Sequence, residues 1–403
     1  MPIYATIEAK SFWKQGHART LAATHFAYLK TNPDGSVDNE YRTKTCNNIV
    51  KGACLTSKIA SYQEFLSGLS EQNTISLFAK LEARLILNAG GGIIENGGIS
   101  LDRNTGLPYI PGSAIKAAAR RYAIHQLGAT EDPNEKIPLL ADICRVFGYG
   151  DNEWKEGRKA SDNHPHGGSS HSDFWLAMVP LENAGKQYDE ERQKKWEIVI
   201  GKTAELIFSN LNRTPPFPAE PISPQLPNLA GAIIFLPAYP VSPAKIATDV
   251  LTPHHTEYSS DEKPNASDDE DPKPIVFPAV EKGTTYQFTL TANLSQADNH
   301  LLKLAVLWFE SALLTFGLGA KTNAGYGWFT LDETASKNAE DHTKVSLLVK
   351  QYSEFECWDH DAKEEAILIL AEKPHDCALW HRLAPDTFRA IQSFAKSQDL
   401  DLL

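Results

Sequence analysis

The chain has 403 residues, of which 42% are hydrophobic, and a formal net charge of −12. This length provides for a sizeable core and suggests two or three domain-sized units. No apolar run reaches the roughly 18 residues of a membrane span, and Glu8, Lys10 and Lys14 interrupt the first segment, so we expect neither a signal peptide nor a membrane anchor. The 5 cysteines are scattered without a CxxC pair, which argues against disulfides and a thiolate zinc site and favours the cytoplasm.

The negative charge is concentrated in two segments. Residues 332–403 contain 15 acidic and 8 basic residues, and residues 257–273 contain 7 acidic and 2 basic residues. These segments account for the whole net charge, so the rest of the chain is neutral. A neutral body can still present a basic groove, and the overall charge therefore does not exclude an RNA-binding protein.

Hydrophobic periodicity and turn residues predict the following elements in chain order. They are a helical piece near 61–69, a strand at 77–87, a helix at 113–127 with Ser113 as its N-cap, a long loop at 148–172, a strand at 174–179, a helix at 189–211, strands at 230–236 and 284–292, a helix at 301–314, a glycine loop, a strand at 327–331 and a helical C-terminal region.

The core order is strand, helix, insertion, strand, strand, helix and strand, which is that of a split βαβ, ferredoxin-like fold. We therefore predict an α+β protein. Its ferredoxin-like core spans 77–331 and carries an insertion at 149–229 and an acidic loop at 257–274. An N-terminal arm (1–76) and an acidic helical region (332–403) flank this core.

The first informative motif is the stretch 106–116 (GLPYIPGSAIK). Its prolines stiffen an extended approach, and Ser113 opens a helix whose free amides form an anion site. Lys116 and Arg120 share a helix face at i, i+4 spacing, and Arg121 adds a third cation. The alternative interpretation is a proline-bracketed turn before an ordinary capped helix.

The second motif is the stretch 317–327 (GLGAKTNAGYG), between a helix and a strand. Its glycines, among them Gly317, Gly319 and Gly325, would let the backbone lie against a phosphate chain, where Lys321 adds charge. Thr322 and Asn323 add hydrogen-bonding groups. The stretch lacks the GxxxxGK[ST] pattern of a Walker A loop. The alternative is a helix C-cap followed by a hairpin.

Together, the two motifs resemble the RAMP superfamily of CRISPR-associated RNA-binding proteins. Residues 248–255 (TDVLTPHH), with Tyr258, and residues 274–283 (PIVFPAVEKG) extend the resemblance towards the subunit that caps the backbone of type III-B (Cmr) effector complexes. The resemblance covers about 77–331. One departure is Lys116-Ala117-Ala118, where the family pattern usually continues with Lys-Gly-Ala.

The resemblance implies an RRM-like core that stacks along a guide RNA and holds its 3′ part. Its site residues would be Ser113, Lys116, Arg120 and the loop 317–327, with His254 and His255 as further RNA contacts. The implied partners are guide RNA (crRNA), target RNA, neighbouring RAMP subunits and a small helical subunit, with no cofactor and no metal in this chain. Phe174 and Trp175 in the insertion are candidates for stacking on bases, although such aromatic residues are more often part of the core.

Three alternatives remain open at this stage. The first alternative is that Asp102 is catalytic. It lies in the loop where the slicing subunit of the family carries its catalytic aspartate, although its neighbours do not match the family pattern. If it is not catalytic, it is a solvated loop carboxylate. His254 and His255 would be the acid and base of an endoribonuclease that processes guide precursors. The third alternative is that the protein is a scaffold that binds only other proteins.

The histidines 164, 166 and 171 suggest a metal site, but a flexible loop would fix the ligand geometry poorly.

Overall fold

The computed structural model describes residues 39–52, 57–69, 73–90, 98–154, 173–178, 190–210, 228–252, 265, 274–293, 299–398, 400 and 402. None of the helices in these ranges is both long and apolar enough to cross a membrane. The helices are α1 (Asn39–Lys51), α2 (Ser57–Ser67), α3 (Gly112–Ala129), α4 (Pro133–Phe147), α5 (Asp173–Met178), α6 (Glu190–Asn210), α7 (Asn299–Phe316), α8 (Glu333–Gln351), α9 (His360–Ala371), α10 (Pro374–Leu383) and α11 (Pro385–Ser397).

The strands form one larger antiparallel sheet and two small ribbons. They are β1 (Thr74–Leu81), β2 (Gly148–Tyr149), β3 (Leu229–Ala230), β4 (Ile233–Phe235), β5 (Tyr239–Pro240), β6 (Ile246–Leu251), β7 (Ile275–Val280), β8 (Thr285–Ala292) and β9 (Phe329–Leu331). The sheet has the order β4-β8-β1-β9, and β5 also pairs with β8. The pairs β2–β3 and β6–β7 are separate ribbons.

The alternating pattern of β8 explains how the sheet acquires its core face. Tyr286, Phe288 and Leu290 are two residues apart, so they point to one side of the strand, and all three are fully buried. Helix α7 covers this face, with the rings of Phe288 and Phe309 4.9 Å apart. Helix α3 packs against α7, where Trp308 Nε1 donates a hydrogen bond to Gln126 Oε1 at 2.7 Å.

The C-terminal helices α8–α11 have a hydrophobic core of their own, centred on Trp380 and Phe388. Helix α8 also contacts the sheet, because the Ser336 hydroxyl accepts a hydrogen bond from the amide of Phe78 in β1. Its N-cap is Asp332, whose carboxylate accepts from the amide of Ala335. The structure thus contains the helices that the sequence predicts after residue 332.

Several other predicted elements are confirmed with shifted ends. The helix predicted at 189–211 is α6, the helix at 301–314 is the longer α7, and the strands at 284–292 and 327–331 are β8 and β9. The strand predicted at 230–236 is divided into β3 and β4. The helical piece predicted near 61–69 is α2, which begins earlier.

Three local predictions are wrong. The strand predicted at 77–87 ends at Leu81, because the chain bends at residues 82 and 83. The segment predicted as a strand at 174–179 begins in helix α5, whose buried Phe174 packs against Trp154. Ser113 is not the N-cap of α3; Pro111 takes that position in an extended conformation without a side-chain cap, and the Ser113 side chain is exposed.

The start of α3 is fixed by a close approach to β4. A Cβ atom on Gly112 would lie 2.0 Å from the carbonyl oxygen of Phe235. Only a residue without a side chain therefore fits between helix and strand.

We expect the substitution Gly112→Ala to lower the free energy of unfolding by about 1–3 kcal/mol, because main chain must move to admit the methyl group. Denaturant titration measures this change. The matched control is Gly201→Ala in α6, where an added Cβ would meet nothing within 4 Å. There we expect a gain of about 0.5–1 kcal/mol from helix propensity. Equal effects at the two positions would contradict the close packing of α3 on β4.

Candidate functional site

The irregular segment 82–88, which follows β1, forms hydrogen bonds with the β6–β7 ribbon and with Ser100, whose carbonyl oxygen accepts from the amide of Tyr109 in the first motif at 3.3 Å. Leu85 exchanges two main-chain hydrogen bonds with Val280 of β7, at 3.0 and 2.9 Å. The segment also binds the glycine loop, which we define as residues 317–327. These hydrogen bonds run from Gly327 N to Arg84 O (2.8 Å) and from Ala320 N to Ile86 O (2.9 Å).

Three glycines of this loop serve the packing of main chain. Gly317, Gly319 and Gly327 all have positive φ angles, which favour glycine. A Cβ on Gly327 would lie 1.9 Å from the carbonyl oxygen of Leu318, and one on Gly319 would lie 2.6 Å from that of Ile86. The requirement for glycine at these positions thus comes from the protein's own backbone.

The exposed part of the glycine loop is its tip. Lys321, Asn323 and Gly325 are exposed, and an added Cβ on Gly325 would meet nothing within 4 Å. Thr322 is partly buried, and its carbonyl oxygen accepts a hydrogen bond from Trp328 Nε1 at 3.1 Å. The tip therefore presents a cation and polar groups, while the ends of the loop are fixed by hydrogen bonds to the segment 82–88.

An ion-pair network joins the tip to the β6–β7 ribbon. Arg84 contacts Asp249 Oδ2 at 3.0 Å and Glu281 Oε1 at 2.9 Å, and the Tyr326 hydroxyl donates to Asp249 Oδ2 at 2.8 Å. Burial raises the pKa of Asp249, but the Tyr326 hydroxyl and the Arg84 guanidinium outweigh burial and hold that pKa below its ordinary value. Burial, with help from Asp249, raises the pKa of Tyr326 to about 12.

The cations of α3 lie on two flanks of the helix with different surroundings. On the first flank, Arg120 bonds Glu153 Oε2 at 2.8 Å and also pairs with Asp173. Its guanidinium carbon lies 5.4 Å from the centre of the Phe174 ring. Arg120 is thus occupied by two carboxylates and fastens α5 to α3. Lys116 is half-buried on the same flank, and desolvation followed by repulsion from Arg120 lowers its pKa.

On the second flank, Arg121 is exposed and lies over Phe316, the last residue of α7. Its guanidinium carbon is 4.3 Å from the ring centre. Tyr122 and His125 also contact this ring. Within the described ranges, no carboxylate pairs with Arg121.

Asp102 has the surroundings of a carboxylate that holds a turn. Its Oδ1 accepts from the amides of Asn104 and Thr105 and from the Thr105 hydroxyl, and its Oδ2 accepts from the Tyr239 hydroxyl at 2.8 Å. Desolvation raises the pKa of Asp102, but these hydrogen bonds outweigh it and leave the pKa lowered. Both oxygens are therefore engaged by the protein.

The other residues predicted from the sequence to bind RNA or metal are the histidines and Phe174. His254, His255 and the histidines 164, 166 and 171 lie outside the described residues. The described part of the chain contains no group of three or more His, Cys, Asp or Glu residues that would hold a metal ion. Phe174 is fully buried, so it is a core residue and the stacking interpretation does not apply to it.

The ion-pair network was not predicted from the sequence. Asp249 and Tyr326 lie within motifs that were noted for other residues, and Arg84 lies in a segment predicted as a plain strand. A lone arginine between apolar residues of that strand was the available signal.

Comparisons with known proteins agree with this combination of fold and motifs. The family model of the RAMP superfamily matches residues 86–330, more than half of the chain. The chain belongs to the RAMP superfamily.

Among individual relatives, the chain is similar to the CRISPR system Cmr subunit Cmr6 of Pyrococcus furiosus. The two are 27% identical over 279 residues, which cover 66% of this chain and 70% of the relative. A cryo-EM structure of a type III-B Cmr-beta complex bound to cognate target RNA has a chain that matches with a TM-score of 0.41 at 16% identity, covering 76% of this chain and 77% of that one. The crystal structure of Pyrococcus furiosus Cmr6 matches with a TM-score of 0.31 at 22% identity, covering 64% and 97%. The family assignment does not depend on these two structural matches.

The Asp249 network predicts a specific dependence of stability on acid. Because the folded pKa of Asp249 is depressed, its contribution is present above the ordinary aspartate pKa of about 3.9 and is lost as the pH falls through the depressed value. We expect Asp249→Asn to lower the free energy of unfolding by about 1 kcal/mol at pH 7 and by much less at an acid pH below the depressed pKa of Asp249.

Denaturant unfolding at both pH values measures the difference. The control is Asp386→Asn, since Asp386 is 86% exposed in its pair with Arg389 and should have little effect at either pH. A penalty for Asp249→Asn that is the same at both pH values would show that the carboxylate charge does not stabilise the network.

Proposed function

We propose that this protein is a non-catalytic RNA-binding subunit of a cytoplasmic type III CRISPR effector complex, where it caps the backbone and holds the 3′ part of the guide RNA with its target. Membership of the RAMP superfamily and similarity to Cmr6 support this assignment. The observation that carries it is the set of cations at the two motifs. Lys116, Arg121 and Lys321 have no carboxylate partner in the described ranges, whereas Arg120 has two.

The fold proposed for the core is ferredoxin-like. Its chain order β1-α3-β4-β8-α7-β9, with the sheet order β4-β8-β1-β9, supports this. The core would span 77–331, with the insertion 149–229 and the acidic loop 257–274. The arm 1–76 and the acidic region 332–403 would be additions to it.

Phosphate contacts explain how such a subunit accepts any guide. Lysine and arginine bind phosphates without reading the base sequence, so they fix the position of the RNA on the protein. Base pairing between guide and target then supplies the sequence specificity, as in other RNA-guided systems. Ser113 in the first turn of α3, with Thr322, Asn323 and Gly325 at the loop tip, would add uncharged contacts to the backbone.

The non-catalytic part of the proposal is supported by Asp102, whose two oxygens already hold a turn and Tyr239. The alternative activity, processing of guide precursors, would depend on His254 and His255. The proposed partners are guide RNA, target RNA, neighbouring RAMP subunits and a small helical subunit.

The test is to co-express the chain with the other subunits and a guide array, and to determine which RNA co-purifies. We expect wild type to retain short guides of defined length. The double variant Lys116→Glu plus Lys321→Glu should lose them or leave their 3′ ends frayed, because two phosphate contacts become repulsive. With the isolated chain, we expect the affinity for single-stranded RNA to fall at least about tenfold.

The matched control is Lys350→Glu plus Lys396→Glu, which makes the same charge change in α8 and α11. If both double variants assemble and retain guides equally, the chain is a protein-binding scaffold and the proposal is wrong. If the purified chain cuts precursor RNA, and His254→Ala or His255→Ala abolishes the cut, the nuclease alternative replaces it.

A further inference from the structure

We propose that Arg121 and Phe316 form a stacking site for one unpaired nucleobase of RNA, where α3 meets the start of the glycine loop. This inference rests on the proposed RNA-binding function and adds a second kind of contact to it. The phosphate contacts hold the backbone of the strand, whereas this site would bind the face of a base.

The geometry of the site is built around the Phe316 ring. Three residues of α3 contact it: Arg121 at 4.3 Å from guanidinium carbon to ring centre, His125 edge-on at 5.8 Å and Tyr122 at 6.2 Å between ring centres. Because Phe316 ends α7 and Gly317 follows it, the ring is held between two packed helices. The guanidinium therefore rests on a fixed support.

The exposure of Arg121 leaves a planar surface for a ligand. The guanidinium carbon of Arg121 lies over the Phe316 ring, 4.3 Å from its centre, and the side chain is nevertheless exposed, so part of this planar group remains accessible to a ligand. His125 beside it is exposed as well. A planar group stacked on the exposed guanidinium would lie above the ring that supports it.

Charge distinguishes Arg121 from its neighbour. The guanidinium of Arg120 forms ion pairs with Glu153 and Asp173. Arg121 has no ion-pair partner in the part of the chain that the structure describes, so its guanidinium remains available to a ligand. The site therefore combines an uncompensated cation with an aromatic support.

This combination suits a nucleobase better than a phosphate. A phosphate needs only charge and N–H donors, which a lysine supplies without any ring beneath it. Unpaired RNA bases stack on aromatic rings and on arginine planes, and every base has such a face. The site would accept any base, in agreement with a subunit that must hold guides of any sequence.

The test uses the full-length chain and single-stranded RNA oligonucleotides that carry 2-aminopurine at successive positions. Stacking quenches the fluorescence of this base. We expect wild type to quench it strongly at one position. Arg121→Lys, which keeps the charge and removes the plane, should abolish this quenching and weaken binding about tenfold without changing the salt dependence of the affinity.

Phe316→Leu removes the support and should have the same effect on quenching while leaving Arg121 in place. The control Arg389→Lys makes the same chemical change on α11 and should bind and quench like wild type. Circular dichroism and thermal unfolding verify that each variant is folded.

The inference is overturned if wild type quenches at no position, or if Arg121→Lys quenches like wild type. In the latter case, a weaker affinity and a reduced salt slope for Arg121→Ala would assign Arg121 to a phosphate. It is also overturned if Arg121→Lys keeps full RNA affinity but loses a protein subunit of the co-purified complex. Loss of RNA in Lys116→Glu plus Lys321→Glu would leave the proposed function intact in each of these cases.

Discussion

The main chain of residues 82–88 is the constraint on which the rest of the site depends. In seven residues it forms hydrogen bonds with β7 through Leu85, with the glycine loop through Arg84 and Ile86, and with residue 100 through Leu87. All of these are bonds between backbone groups, which must be satisfied when buried. A segment that is neither a helix nor a regular strand thus fixes the relative position of β7, the glycine loop and Ser100.

This constraint divides the glycine-rich motif into two parts. Gly317, Gly319 and Gly327 allow main chain to pack on main chain, and a methyl group on any of them would lie within 3 Å of a carbonyl oxygen. Lys321 to Gly325 form the exposed tip. The base of the loop needs glycine for close packing, while the tip, where Lys321 and Gly325 also have positive φ angles, carries the polar and charged groups.

The same division applies to the helix after Pro111. Arg120 and Arg121 are adjacent in sequence, but 100° of helical rotation places them against different neighbours. Arg120 stabilises the attachment of α5, while Arg121 is supported by Phe316 and faces solvent. A run of cations in a helix therefore contains both structural and ligand-facing members, and only packing separates them.

Local sequence patterns predicted those parts of the molecule that depend on local physics. The alternation of β8 and the apolar run of α7 sufficed, because burial on one face dictates both. The prediction of Ser113 as the N-cap of α3 was wrong, because the close approach of Gly112 to Phe235 determines where the helix begins. The network of Arg84, Asp249 and Tyr326 escaped prediction, since its members are far apart in sequence and meet only in the folded chain.

The most direct test of the central claim is ultraviolet crosslinking of the assembled complex to its guide RNA, followed by mass spectrometry of the crosslinked peptides. The account predicts crosslinks in this chain within residues 112–125, which form the first part of α3 at the end of the first motif, and within residues 316–326, which contain Phe316 and most of the glycine loop. Crosslinks confined to α8–α11, with none at the two motifs, would contradict it.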